Sequence, residues 1–319
     1  MELKKRPVIF DCDPGVDDAV ALFMMLAADD QFDLLGICPV DGNKSLWQTE
    51  KNACILLELA GKTEIPVFHG ADKALIAERR VPENIHGATG LGGVVLPDPE
   101  KKVEKKYAWD FMYEMAKKYP HELEILAVGP YTNIATAMLK YPDFASLVKQ
   151  IVIMGGAITG GNQTAAAEFN VWADAWAARL MFQSGIPIVM IGLEICFEGR
   201  ISGEWVKKID SIGGPVSKVA AQLIGEREVH SKGKGAVLCD AIASAYMIDP
   251  SIITVTDQEY VEVDVKGGYS YGATVGKRCG GMYYASNVVP NTTICWHLDV
   301  ERFCQLIYDS CKKLDDQLR

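Results

Sequence analysis

Apolar residues fall into two kinds of run along this chain. Short β-branched or aliphatic runs, such as Val8-Ile9-Phe10 and Ile151-Val152-Ile153, alternate with longer stretches in which apolar residues recur every three or four positions. A short unbroken run suits a strand buried on both faces, and the longer spacing suits an amphipathic helix. The alternation predicts strands at 8–11, 34–39, 66–68, 124–128, 150–154 and 188–191. Helices are predicted between them at about 17–28, 47–60, 109–118, 133–140 and 175–184, each closed by Gly, Pro or a charged turn. Repeated βα units of this kind imply an α/β fold with a doubly wound, mainly parallel central sheet flanked by helices.

Beyond residue 193 the alternation weakens. Helical stretches at 203–212 and 216–229 lead into another at 239–247, then to hairpin-like strands around 260–265 and 273–277, and to a last helix at 300–314. No fixed-period repeat is present, which argues against solenoids and propellers. Without a Pro/Ser-rich linker or low-complexity tract, the chain reads as one domain over residues 1–319.

Composition narrows the function classes. A net charge of -10 argues against a nucleic-acid partner, because phosphate binding needs a surplus of Lys and Arg on one face. A small neutral or cationic ligand fits better. Met1 to Phe10 runs straight into Asp11 without an apolar core, so no signal peptide is predicted. The uncharged stretch 151–167 is full of Gly, Asn and Thr, so no membrane span is predicted. Nine cysteines, an odd number with no C-x-x-C spacing, predict reduced thiols without disulfides and a cytoplasmic location.

The densest chemistry is Asp11-Cys12-Asp13-Pro14-Gly15-Val16-Asp17-Asp18, where four carboxylates stand within eight residues between an apolar strand and an apolar helix. Like charges gathered at the end of a buried strand raise one another's pKa unless a cation or hydrogen bonds compensate. The helix N-terminus helps a little, but a hard divalent ion is the natural counter-charge. Oxygen-only ligands suit Ca²⁺ or Mg²⁺, not zinc. The blander alternative, two of the four acting only as turn and helix caps, accounts for part of the motif at most.

At these residues the sequence resembles the nucleoside hydrolase family, whose opening D-x-D-P-G-x-D-D-A is matched through Ala19. Further matches follow in order. Asp41-Gly42-Asn43 looks like the family's G-N loop, His86-Gly87-Ala88-Thr89-Gly90-Leu91-Gly92 its H-G-x-x-G loop, and Gly129-Pro130-Tyr131-Thr132-Asn133-Ile134-Ala135 its G-P-x-T-N-I-A turn. Met154-Gly155-Gly156, Gly161-Asn162 and Ala167-Glu168-Phe169-Asn170 resemble its M-G-G, G-N and A-E-F-N segments. Ordered matches over half the chain are far more specific than any one of them.

Carried over position by position, the resemblance implies the nucleoside hydrolase fold and a single Ca²⁺ held by Asp13, Asp18, Asp240 and the main-chain carbonyl of Val128. It implies that Asp17, Asn43, Asn162, Glu168 and Asn170, with Met154 beside them, hold the ribose hydroxyls of a ribonucleoside, and that Asp11 supports the metal ligands. Asp13 becomes the candidate general base for a water whose pKa the ion lowers. The resemblance also implies a homodimer or homotetramer.

The sequence departs from the family where the leaving base needs a proton. The usual His before the last metal-binding Asp is here Cys239. A thiol is protonated at neutral pH and can donate, though less readily than imidazolium, and packing as a small helix residue is an equal alternative. His86, in a Gly-rich loop, is a second candidate near the base, and His230 a weaker one in the segment 200–235 that is expected to contact the base. Trp172 and Trp176 read as packing or subunit-contact residues before purine-stacking ones.

Two rival readings differ in class. A haloacid-dehalogenase-type phosphohydrolase also opens with D-x-D, but Val16 stands one place too far along for its pattern and no fitting acidic pair follows. A non-catalytic, calcium-dependent ribose- or nucleoside-binding protein keeps the metal site and loses turnover through Cys239. The reading that joins most observations is calcium-dependent hydrolysis of ribonucleosides to ribose and free base.

Overall fold

The computed structural model describes residues 4–78, 86–278 and 289–319. The chain begins with β1 (Arg6–Cys12), α1 (Val16–Ala27), β2 (Phe32–Pro39), α2 (Leu46–Leu59), β3 (Phe68–His69), β4 (Glu104–Tyr107), α3 (Ala108–Lys118) and β5 (Glu124–Ala127). It continues through α4 (Thr132–Lys140), α5 (Phe144–Leu147), β6 (Gln150–Met154), α6 (Phe169–Ala173), α7 (Ala175–Phe182), β7 (Ile188–Ile191) and α8 (Leu193–Glu198). The last third holds β8 (Arg200–Ile201), α9 (Gly203–Asp210), α10 (Pro215–His230), β9 (Ala236–Val237), α11 (Cys239–Ile248), β10 (Ile253–Val263), β11 (Thr274–Arg278), β12 (Thr292–Leu298) and α12 (Val300–Gln317).

Eight strands form the main sheet in the order β11-β10-β12-β7-β6-β5-β1-β2. Every pairing from β2 through β12 is parallel, and β10 runs antiparallel to both of its neighbours. The alternation within each buried strand explains the two helical layers. Val8, Phe10, Val152 and Ile191 point into a core with α1, α10, α11 and α12, whereas Ile9, Ile151, Ile153 and Met190 point into a second core with α3, α4 and α7. A strand buried on both faces has no polar side to show, which is why its sequence is an unbroken apolar run.

Two sequence-based expectations need correction. Residues 66–68 are not a strand of the main sheet; only Phe68–His69 is extended, pairing with β4, and Val67 touches β2 through a single bridge to Ile37. Pro66 lacks the N–H a ladder requires. The sheet also contains β12, absent from the predicted elements, inserted between β7 and β10. Its residues Thr292, Thr293, Cys295 and His297 break the apolar run, although Ile294, Cys295 and Leu298 are buried.

Topology fixes where a ligand belongs. From β1 the chain steps to β2 on one side, and the later strands β5, β6 and β7 lie on the other. In open α/β sheets the crevice at the carboxyl ends of the strands, where the order reverses, is the binding place. Here that crevice is floored by the ends of β1, β5 and β6, namely Asp11–Asp13, Val128 and Met154.

Candidate active site

The aspartate turn leaves β1 and enters α1 with Gly15 as N-cap and Asp17 and Asp18 in the first helical turn. Asp18 folds back on the turn: its carboxylate accepts the Asp13 N–H at 3.1 Å and the Gly15 N–H at 2.9 Å. Asp13 Oδ2 accepts the Asn43 N–H at 2.6 Å, and Asn43 Nδ2 donates to the Asp13 carbonyl and to Asp18 Oδ2, both at 3.2 Å. Gly42 makes this approach feasible, since a Cβ there would lie 2.1 Å from Asp13 Oδ2. Asp11 stands behind, with Oδ2 accepting from Asn133 Nδ2 at 2.8 Å.

This cluster carries more negative charge than its hydrogen bonds answer. Asp17, Asp18 and Asp240, all buried, each present an oxygen within 4.8 Å of the others, and Asp240 arrives from the first turn of α11. Burial and then the Asp18 charge push the Asp13 carboxyl well above its ordinary range, and burial with Asp17 pushes Asp18 up to about 6. Asp240 is raised by burial and by Asp17 and Asp18, and Asp11 is pushed up to about 8 by burial despite Asn133. Buried Asp13 Oδ1 has no hydrogen-bond partner. An orphaned carboxylate oxygen beside three converging carboxylates, with only oxygen donors, fits a hard divalent cation.

Asp17 differs from its neighbours. Burial, the largest single influence, raises its pKa, but the Arg227 guanidinium, with Nη2 3.1 Å from Asp17 Oδ1, acts together with His86 and local hydrogen bonds to hold the carboxyl below its ordinary value. Arg227 also lies 3.3 Å from His86 Nε2, while the Val16 N–H points at His86 Nδ1 at 3.2 Å. Burial, then Arg227, pushes His86 down to about 3, so the ring is neutral. A neutral imidazole accepts at one nitrogen only, so one of these two donors faces it unmatched. His86 therefore stands at the cleft as a poor source of protons.

Across the cleft, Glu168 caps α6, its carboxylate accepting from the N–H groups of Gly156 and Asn170 at 2.9 Å and of Val171 at 3.3 Å. Burial still pushes it up to about 7, against those hydrogen bonds. Asn170 Nδ2 donates to the carbonyls of Val128 at 2.9 Å and Met154 at 3.1 Å, and Asn162 Oδ1 accepts the Phe169 N–H at 3.0 Å.

A cleft of about 240 Å³ joins these groups. Its lining contains the predicted Asp17, Asn43, His86, Val128, Met154, Asn162, Glu168, Asn170, Cys239 and Asp240. Asp13 and Asp18 lie beneath it, tied to Asn43 by the hydrogen bonds above. Cys239 is half-buried at the start of α11, and its thiol meets that of buried Cys196. His230 does not line this cleft; its Nδ1 lies 2.7 Å from the Glu226 carbonyl, and it lines a separate cavity. Trp172 and Trp176 also stay outside it, with Trp172 tilted against Phe169 and Trp176 exposed on α7.

Sequence reasoning did not single out Gln163, Phe169, Leu193, Phe197, Arg227 and Val237, which also line the cleft. Phe197 and Leu193 belong to α8, a short helix after β7, and Arg227 belongs to α10. Within Glu226-Arg227-Glu228, an arginine flanked by glutamates reads as a solvated helix face, so nothing local announced it.

The eight cysteines among the described residues are free thiols, and Cys279 lies outside them. No described helix is long and apolar enough to cross a membrane.

Comparison with known proteins shows the family and the fold. The sequence model of the family described as inosine-uridine preferring nucleoside hydrolase matches residues 8–305. The chain is 37% identical over 311 residues to a pyrimidine-specific ribonucleoside hydrolase, RihA, of Escherichia coli, covering 96% of this chain and 98% of that protein. Its fold superposes with a TM-score of 0.89 on the purine-preferring ribonucleoside hydrolase from Gardnerella vaginalis, at 31% identity over 98% of this chain and 100% of the other. A plant nucleoside hydrolase, PpNRh1, gives a TM-score of 0.89 at 29% identity, covering 97% and 99% of the two chains.

Proposed function

The chain belongs to the inosine-uridine preferring nucleoside hydrolase family, and on that premise we propose that it hydrolyses the N-glycosidic bond of ribonucleosides with a bound calcium ion. The observation that carries the metal requirement is the convergence of the buried Asp17, Asp18 and Asp240 carboxylates, joined by the unpartnered, buried Oδ1 of Asp13 on the same turn. Asp13, Asp18, Asp240 and the Val128 carbonyl would hold the ion. When bound, it supplies the positive charge this pocket lacks, fixes vicinal hydroxyls and acidifies a water.

The chain's own groups divide the remaining work. Asp13, at the floor of the cleft, takes the proton from the attacking water. Glu168, Asn170, Asn162, Asn43 and Asp17 form a polar wall suited to a polyhydroxylated sugar, and Met154 lies beside them. Holding the ribose there supplies part of the entropic term. The carboxylates also stabilise the positive charge that develops on the sugar as the C1′–N bond opens. Asp11, bonded to Asn133, keeps the end of β1 in place. The apolar lining residues Leu193, Phe197 and Val237 suit a flat heterocycle. Free thiols fit a reducing, cytoplasmic setting.

The test is ribose release from inosine, uridine, cytidine and adenosine, with calcium and again after chelation. Calcium-dependent release supports the proposal and ranks the bases. Release that survives complete chelation removes the metal from it, and calcium-dependent ribose binding without release of base leaves a nucleoside-binding protein instead.

A further inference from the structure

Among the described residues lining the cleft, Arg227 alone carries a positive charge, since buried His86 is neutral. It reaches the cleft from the last turns of α10, far from any motif that marks the site. Its placement is held from two sides. The neighbouring Glu226 accepts the Gly93 N–H at 2.8 and 3.0 Å, fixing α10 against the loop that carries His86, and Arg227 Nη2 pairs with Asp17.

That pairing uses only part of the guanidinium. Nη2 faces both Asp17 and His86, while buried Nε has no hydrogen-bond partner. A guanidinium offers five N–H donors in a fixed fork, and with Nη2 alone engaged, Arg227 keeps donors for an acceptor on a ligand in the cleft that it lines. Arg227 shares the cleft lining with Asp17 of the sugar-binding set and with Val237 of β9, on which α10 packs.

We propose that Arg227 is a catalytic residue that hydrogen-bonds the departing nucleobase and stabilises the negative charge that develops on it. This rests on the reading of the chain as a ribonucleoside hydrolase. In that reaction the C1′–N bond breaks with its electron pair going to the base nitrogen, and water oxygen bonds to C1′. The water proton passes to Asp13, and the base takes a proton from the Cys239 thiol or from solvent. Arg227 transfers no proton; its fixed cation receives the charge before protonation is complete. Such a group matters most in a site otherwise lined with carboxylates, where no other side chain among the described lining residues offers an anion a counter-charge. It also answers the replacement of the usual acid by Cys239, because a weaker proton donor leaves more charge on the base at the transition state.

A purely positioning role for Arg227, holding Asp17 and hence the ribose, predicts something different, and leaving-group chemistry separates the two. The experiment measures kcat/KM of wild type, Arg227→Gln and Arg227→Lys on uridine and inosine and on 4-nitrophenyl β-D-riboside, whose leaving group needs little help. Loss of one donor aimed at developing negative charge costs about 10²–10³-fold. Arg227→Gln is expected to lose about that on the nucleosides and less than about tenfold on the nitrophenyl riboside, with Arg227→Lys in between. Equal losses on both kinds of substrate, or no loss on nucleosides, overturn the proposal. Turnover of the riboside shows that a variant is folded; if Arg227→Gln is inactive on everything, the same ratio for Arg227→Lys decides. Wild-type turnover of uridine or inosine is the separate control: its absence is a failure of the hydrolase reading.

Discussion

Asp13 Oδ2 accepts the Asn43 N–H at 2.6 Å, while Oδ1 of the same carboxylate is buried with no partner. One oxygen is thereby fixed in direction and the other aimed where only a cation or a water can answer it. If Asp13 is both ligand and base, Asp13→Ala removes two functions, and kcat is expected to fall at least about 10²–10⁴-fold, the range for a general base alone. Ribose release at saturating calcium measures this. A variant with near wild-type rate would show that the carboxylate is a structural buttress for the Asn43 loop.

Calcium and protons compete for the same charge. Asp18 is pushed up to about 6, Glu168 to about 7 and Asp11 to about 8, chiefly by burial. Carboxyls raised in the folded state bind protons more tightly there than in the unfolded chain. Their contribution is therefore fully present below the unfolded values near pH 4 and is lost as pH rises through the folded ones. Metal-free protein should lose thermal stability between about pH 5 and pH 8, and calcium should restore it, more at pH 8 than at pH 5. Melting temperatures of chelated and calcium-loaded protein across that range provide the check; a calcium shift that is larger at pH 5 would contradict the carboxylate account.

How much of this was legible in the sequence depends on whether a residue's role is set locally. The Asp11–Asp18 turn was readable because four acids between an apolar strand and an apolar helix have few structural excuses. The parallel strands were readable for the same local reason, an apolar run with no polar face. Strand β12 was not, because its Thr and His positions look like an edge, and only its insertion between β7 and β10 buries the rest. Arg227 was not singled out within the segment 200–235 expected to contact the base, because its partner Asp17 lies 210 residues away and a cation between two glutamates looks solvated until α10 is packed over the cleft. His86 was found, but its charge state was not, since burial and Arg227 together decide it.

Cys239 lines the cleft half-buried beside Asp240, and a proton given from it to a departing base would not require it to be a metal ligand. Cys239→Ala should leave calcium affinity within about twofold while slowing uridine or inosine by about 10²-fold and 4-nitrophenyl riboside by far less. Calcium titration of the melting temperature and paired kinetics measure the two parts. Equal slowing of both substrates would assign the thiol to packing and leave solvent as the proton source.

The sugar wall makes the sharpest prediction about substrates. Buried Glu168 and Asn170, with Asn43 and Asp17, present fixed polar groups to the cleft; main-chain partners orient the first three and Arg227 holds Asp17. A ribose whose vicinal hydroxyls replace water there restores hydrogen bonds to these groups and to the ion. A 2′-deoxyribose leaves one set buried and unanswered, which costs far more than the loss of a methylene in an apolar pocket. Sites built to hydrogen-bond a substrate hydroxyl reject analogues lacking it by about 10⁴–10⁵-fold, so 2′-deoxyuridine should fall below uridine in kcat/KM by that order. Comparison of base release from the two at equal calcium tests it, and a ratio within about tenfold would mean that these residues orient the protein's own backbone and do not read the sugar.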